Sequence, residues 1–307
     1  MGQEKELCLK QVIGIGESWV GRFSAARAGE TLLSFLLLLF LGGSVAAAQA
    51  GEPTNAQEAT RQQQKLPAIT PQMQAAEMAR RARMTPDELA WEKTLEANLG
   101  NYYLPIYYAD KDAGRETAWD YVQDDPHLPR LLILGDSISR GYTLAVRHAL
   151  AGKVNVHRAP ANCGPTATGL KKLDVWLGTG KWDVITWNFG IHDRATDPKV
   201  YAENLEALLA RLRKTGAKIV WVRSTPAPPS GVSQEGYSAA ECDRINGIAD
   251  EVMRREGIPE VDLYSLMLPH LQELQLPDSV HFKEAGYQRM GDAVAAEVLT
   301  GLGGNGR

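Results

Sequence analysis

From Leu128 onward the chain alternates short apolar runs with segments of helical period, and this alternation restricts the fold more than any other feature of the sequence. Residues 131–134, 154–157, 184–189, 219–223 and 261–263 read as buried strands. Helical patterns intervene at 142–150, 170–177, 201–215, 239–255 and 284–299, and in the third of these Leu205, Leu208, Leu209 and Leu212 fall on one face. Strands that are apolar along their whole length need cover on both faces, and consecutive parallel strands need right-handed helical crossovers. The expected fold is therefore α/β, a three-layer α/β/α sandwich around a central five-stranded parallel sheet, occupying residues 128–307.

Composition narrows the function. The chain has 307 residues, with 33 Lys and Arg against 37 Asp and Glu, and no dense basic stripe to neutralise a phosphate backbone, so nucleic acid is not an expected partner. Its three cysteines, Cys8, Cys163 and Cys242, are too few for a disulfide scaffold and lack C-x-x-C spacing. Cys163 reads as a small buried residue, either free or bridged to Cys242. No two histidines have metal-ligand spacing, and no metal or organic cofactor is expected.

Ahead of this domain the chain reads in three pieces. Residues 31–41, TLLSFLLLLFL, followed by Ala48-Gln49-Ala50, have the apolar core and A-x-A site of an export signal, and cleavage after Ala50 would deliver the protein to the periplasm or outside the cell. The run is too short to span a bilayer in the usual way, but the segment before it is long and its charges balance. The alternative is therefore an uncleaved leader that anchors the chain through residues 31–50, the only expected contact with a membrane. Residues 51–66, rich in Gln, Ala, Glu and Thr, read as a disordered spacer. Residues 67–127 read as a helical, aromatic-rich N-terminal arm. Thr70-Pro71 and Thr85-Pro86 are cap-and-first-residue pairs that start helices over 71–84 and 86–99, the second stopping at Gly100. The aromatic piece 101–121 either packs this arm onto the main domain or offers a substrate platform.

The chemistry is sought at the carboxyl ends of the strands, where open parallel sheets bind ligands. After the first strand stands Gly135-Asp136-Ser137, where a serine at a strand-to-helix turn presents its hydroxyl beside the helix N-terminus. After the second comes Ala161-Asn162-Cys163-Gly164, after the third Asn188-Phe189-Gly190-Ile191-His192-Asp193, and before the last helix Asp278-Ser279-Val280-His281. A serine nucleophile needs a base, and the base an orienting acid, which His281 and Asp278 offer at the sheet's rim. The loop 224–239, rich in Pro, Ser and Gly, borders the same rim.

In this order the four loops resemble those of the SGNH or GDSL hydrolase family, over about residues 131–299. The resemblance implies a flavodoxin-like fold in which Ser137 is the nucleophile, Gly164 an oxyanion donor beside the Ser137 N–H, and Asp278 and His281 the acid and base. One block departs from the pattern: the family's Gly-x-Asn-Asp is here Gly190-Ile191-His192-Asp193, so the remaining oxyanion donor is either His192, from the same position, or Asn188. The expected activity is hydrolysis of acyl esters through an acyl-enzyme, with small molecules or glycan esters as substrates and acetyl groups on carbohydrate favoured by the export signal and the polar loop. The alternatives are acyl transfer to an extracytoplasmic glycan and a catalytically silent glycan-binding module.

Overall fold

The computed structural model describes residues 68–303, so the leader, its cleavage site and the spacer at 51–66 lie outside the described residues. Three helices come first: α1 (Pro71–Arg81), α2 (Pro86–Asn98) and α3 (Gly100–Asp112). Thr70 caps α1 by accepting the Met73 N–H, and Thr85 forms a reciprocal capping box with Glu88 at the start of α2. Helix α2 ends just ahead of Gly100, as expected, but helical structure resumes there. Gly100 takes φ +66°, and α3 follows at once, carrying most of the aromatic segment with Pro105 inside it. Tyr107 and Tyr108 of α3 are buried with Leu95 and Leu99 in a small core of their own.

Trp119 joins this small core to the main one. Its ring packs edge-on against Tyr103 at 5.5 Å, while its indole N–H donates to the Ala159 carbonyl at 3.2 Å. From the main domain, Arg147 donates to the carbonyls of Thr117 at 2.9 Å and Ala118 at 3.1 Å. A loop that spends its carbonyls on a guanidinium leaves few backbone groups unsatisfied.

The main domain runs β1 (Arg130–Leu134), α4 (Ser137–Ala149), β2 (Asn155–Arg158), α5 (Thr166–Leu177), β3 (Val184–Trp187), α6 (Pro198–Arg213), β4 (Lys218–Val222), α7 (Ala239–Glu256), β5 (Glu260–Val261), α8 (Leu263–Met267), α9 (Leu271–Leu274) and α10 (Glu284–Gly303). The five strands form one parallel sheet in the order β2-β1-β3-β4-β5, with Leu131 beside both Val156 and Val184, and Trp187 beside Trp221. Strand order reverses direction at β1, so the loops after β1 and β3 diverge and open a crevice between them. Helices α5, α6 and α7 pack side by side, and α4 packs with α10. That last pairing is close. A Cβ on Gly291 of α10 would stand 2.4 Å from the Cβ of Ala145 on α4. The sheet lies between these layers, and its residues from Leu131 to Leu134 are almost wholly buried.

Strand positions agree with the sequence reading to within a residue or two, and α1, α2, α7 and α10 start where expected, whereas α4, α5 and α6 start three to five residues earlier. Helix α4 begins at Ser137, five residues before the periodic pattern, because Asp136 caps it by accepting the Ile138 N–H at 2.9 Å. Among the described residues, no helix is long and apolar enough to cross a membrane.

Candidate active site

The sharp exit from β1 puts Ser137 at the first position of α4, where backbone N–H groups have no intrahelical partner. Its neighbourhood is held from below by Arg158, a fully buried residue at the end of β2. The Arg158 guanidinium donates to the Gly135 carbonyl at 3.0 Å, the Asp136 carbonyl at 2.8 Å and Ser139 Oγ at 2.7 Å. Burial lowers its pKa, and no carboxylate lies within ion-pair distance of it among the described residues, so the carbonyl dipoles of the turn carry its solvation. Trp119 stands 5.9 Å from the same guanidinium.

His281 faces this turn from the loop before α10. An antiparallel bridge between Gln275 and Phe282, with the Leu276 N–H on the His281 carbonyl at 2.9 Å, closes that loop. The outcome is a contact of 2.9 Å between His281 Nε2 and Ser137 Oγ, although 144 residues separate them in sequence. This is hydrogen-bond reach for a base and the hydroxyl that it would deprotonate.

The other ring nitrogen does not meet the expected acid. Asp278 lies at φ +50°, exposed, with its carbonyl accepting the Gln234 N–H at 2.7 Å, and its carboxylate makes no hydrogen bond or ion pair with His281. The left-handed turn that brings the Asp278 carbonyl onto Gln234 directs its side chain outward. His281 Nδ1 instead lies 3.2 Å from Ser279 Oγ and 3.4 Å from Glu235 Oε1. Glu235 sits on a turn between β4 and α7, in the polar loop at 224–239. That turn is closed by the Ser233 N–H on the Tyr237 carbonyl at 2.9 Å and anchored by the buried Tyr237 ring. Partial burial works against ionisation of Glu235. Hydrogen bonds involving Ser233, its own backbone and Ser279, with His281 nearby, outweigh it and hold the carboxyl below the ordinary glutamate value.

Near Ser137, its own N–H and that of Gly164 have no hydrogen-bond partner among the described residues. Gly164 takes φ +66°, a conformation open to glycine, and its loop is fixed beside the Ser137 turn. There the Cys163 N–H meets the Gly135 carbonyl at 3.1 Å and the Gly135 N–H meets Cys163 Sγ at 3.2 Å. Cys163 and Cys242 are both free and buried, which excludes a bridge between them in this structure, and burial pushes the Cys163 thiol up to about 12. A thiol of that kind is no nucleophile at neutral pH.

Of the two further oxyanion candidates, Asn188 is committed elsewhere: its amide donates to the Val222 carbonyl at 2.7 Å and to Ser224 Oγ at 3.1 Å. Those bonds tie β3 to β4 and engage both hydrogens of the Asn188 amide, the alternative oxyanion donor. His192 is exposed on the short 3-10 turn Ile191–Asp193, and its ring has no hydrogen bond among the described residues. The turn is held against the Gly164 loop by Asp193, whose buried carboxylate accepts from the Thr166 N–H at 2.8 Å and Thr166 Oγ1 at 2.7 Å. Among the described residues no group of three or more His, Cys, Asp or Glu is placed to hold a metal ion.

Residues 133–289, from β1 into α10, match the model of the GDSL-like lipase/acylhydrolase family. An arylesterase of Vibrio mimicus is 24% identical over 189 residues, which is 56% of this chain and 90% of that relative. The fold is similar to the crystal structure of the lipase/acylhydrolase from Enterococcus faecalis, with a TM-score of 0.50 and 23% identity over 56% of this chain and 95% of that one. Since the family model spans just over half of its residues, this chain belongs to the GDSL-like lipase/acylhydrolase family, the SGNH hydrolases, and is a hydrolase of ester bonds.

Proposed function

We propose that this protein is an exported serine esterase that removes short acyl groups, acetyl above all, from carbohydrate esters. The observation that carries the serine mechanism is the 2.9 Å approach of His281 Nε2 to Ser137 Oγ at the start of α4. His281 takes the Ser137 proton as Oγ bonds to the ester carbonyl carbon. The resulting oxyanion lies within the field of the helix N-terminus and accepts from the N–H groups of Ser137 and Gly164 and from the His192 ring. His281 returns the proton to the departing alcohol. Water then attacks the acyl-enzyme, giving its proton to His281, and the carbon–Oγ bond breaks as His281 passes that proton to Ser137 Oγ, releasing the acid.

The substrate class is supported by the rim. Pro226 to Ser238 supply a polar border and no extended greasy lid, which suits a small acyl group on a polar scaffold. Export is supported by residues 31–50.

The test is hydrolysis of p-nitrophenyl acetate, butyrate and octanoate, and release of acetate from an acetylated oligosaccharide, by the purified protein and by Ser137→Ala and His281→Ala. Both variants are expected to lose roughly a thousandfold or more in kcat, with acetate the preferred acyl group. Octanoate preference would reject the short-acyl reading, and turnover that survives Ser137→Ala would reject the serine mechanism.

A further inference from the structure

We propose that Glu235, and not Asp278, is the acid that orients His281 and stabilises its charged form, an inference that rests on the serine-esterase reading. With Nε2 given to Ser137, the imidazole has one remaining handle, Nδ1. Two oxygens meet it: Ser279 Oγ at 3.2 Å and Glu235 Oε1 at 3.4 Å. Ser279 in turn donates its hydroxyl proton to Glu235 Oε1 at 3.0 Å, so both contacts lead to one carboxylate. No other Asp or Glu lies within ion-pair distance of His281 among the described residues.

The placement of Glu235 is built rather than incidental. The Gln234 N–H binds the Asp278 carbonyl, the Val280 N–H points at Glu235 Oε2 at 3.4 Å, and Arg194 donates to the Glu235 carbonyl at 2.9 Å. These contacts dock the turn that bears Glu235 onto the loop that bears His281. Arg194 engages the backbone of Glu235 and the Ile191 carbonyl, while Asp136 is occupied in capping α4. Asp278 contributes through its backbone instead, since its left-handed conformation supplies the carbonyl that receives the Gln234 N–H. When the Ser137 proton reaches Nε2, the imidazolium is bonded through Nδ1–H to Ser279 and Glu235, and no proton passes to the carboxylate. Glu235 is thus a positioning residue. Its side chain is 39% exposed, so its effect is smaller than that of a fully buried triad acid.

The experiment compares Glu235→Gln, Glu235→Asp and Asp278→Asn in the full chain, after thermal melts have established that each folds. The first readout needs no substrate: NMR titration of the His281 imidazole. Loss of the adjacent negative charge makes the imidazolium less favourable, so its pKa falls by about 0.5–1 unit in Glu235→Gln and stays unchanged in Asp278→Asn. The second is the pH profile on p-nitrophenyl acetate. Glu235→Gln loses about 10- to 100-fold in kcat with KM nearly unchanged, and the acid limb of its kcat/KM profile moves to lower pH. Glu235→Asp recovers part of the loss, and Asp278→Asn stays within about threefold of the parent. An unchanged His281 titration in Glu235→Gln, or a fall in Asp278→Asn instead, overturns the assignment. Surviving turnover in Ser137→Ala defeats the esterase reading alone, since the titration still decides which acid faces His281.

Discussion

Asn188 and His192 show how one residue's partners decide what chemistry is left to it. Asn188 has both amide hydrogens engaged between β3 and β4, while His192 stands exposed on a turn that Asp193 secures to the Gly164 loop. His192→Ala is accordingly expected to lower kcat on p-nitrophenyl acetate by roughly a hundredfold with little change in KM, the usual effect of deleting an oxyanion donor. Asn188→Ala should instead lower the melting temperature and leave the turnover of the folded fraction within a fewfold of the parent. The reverse pattern would return the donor role to Asn188. Ser137 and His281 were legible in the sequence because each sits in a short block at a strand end or helix start. The acid was not legible, because Glu235 reaches His281 from a turn 46 residues earlier in the chain, through a contact that no local pattern encodes.

Elements were legible in proportion to how far their own sequence determines them. The strands announced themselves by apolar runs that need cover on both faces. Helix α3 did not, since Gly100 looks like a stop and Pro105 like an interruption, yet a helix there buries Tyr107 and Tyr108 against α2. Packing against neighbours outweighed local preference, and the same holds for the short α8 and α9, each under two turns. Contact between α4 and α10 makes a sharper demand. A Cβ on Gly291 would meet the Ala145 Cβ at 2.4 Å and the Val146 backbone N at 3.1 Å, neither of which can step aside, so Gly291→Val is expected to cost about 2–3 kcal/mol. That corresponds to a fall of roughly 6–10 °C in melting temperature for a domain of this size. An unchanged Tm would mean that the two helices can part without loss.

For the molecule as a whole, the leader, the arm and the hydrolase domain pose separate questions. The export reading predicts that protein recovered from outside the cytoplasm begins at Gly51, which intact mass and N-terminal sequencing would measure. A chain that keeps residues 31–50 would instead be held at a membrane. The described part of the arm contributes Trp119, whose indole anchors on Ala159 and whose ring stands near Arg140 and Arg158, both close to the Ser137 turn. Its position explains why an aromatic-rich stretch outside the family's matched region belongs to the same compact unit.

The long separation between Ser137 and His281 also governs when the enzyme comes into being. A ribosome making this chain releases the Ser137 turn 144 residues ahead of His281, and α10, which packs on α4, emerges after His281. Until then Ser137 is an ordinary alcohol. On the proposed mechanism, activity therefore follows synthesis and docking of the loop before α10, and a chain still lacking that loop carries the serine without its base.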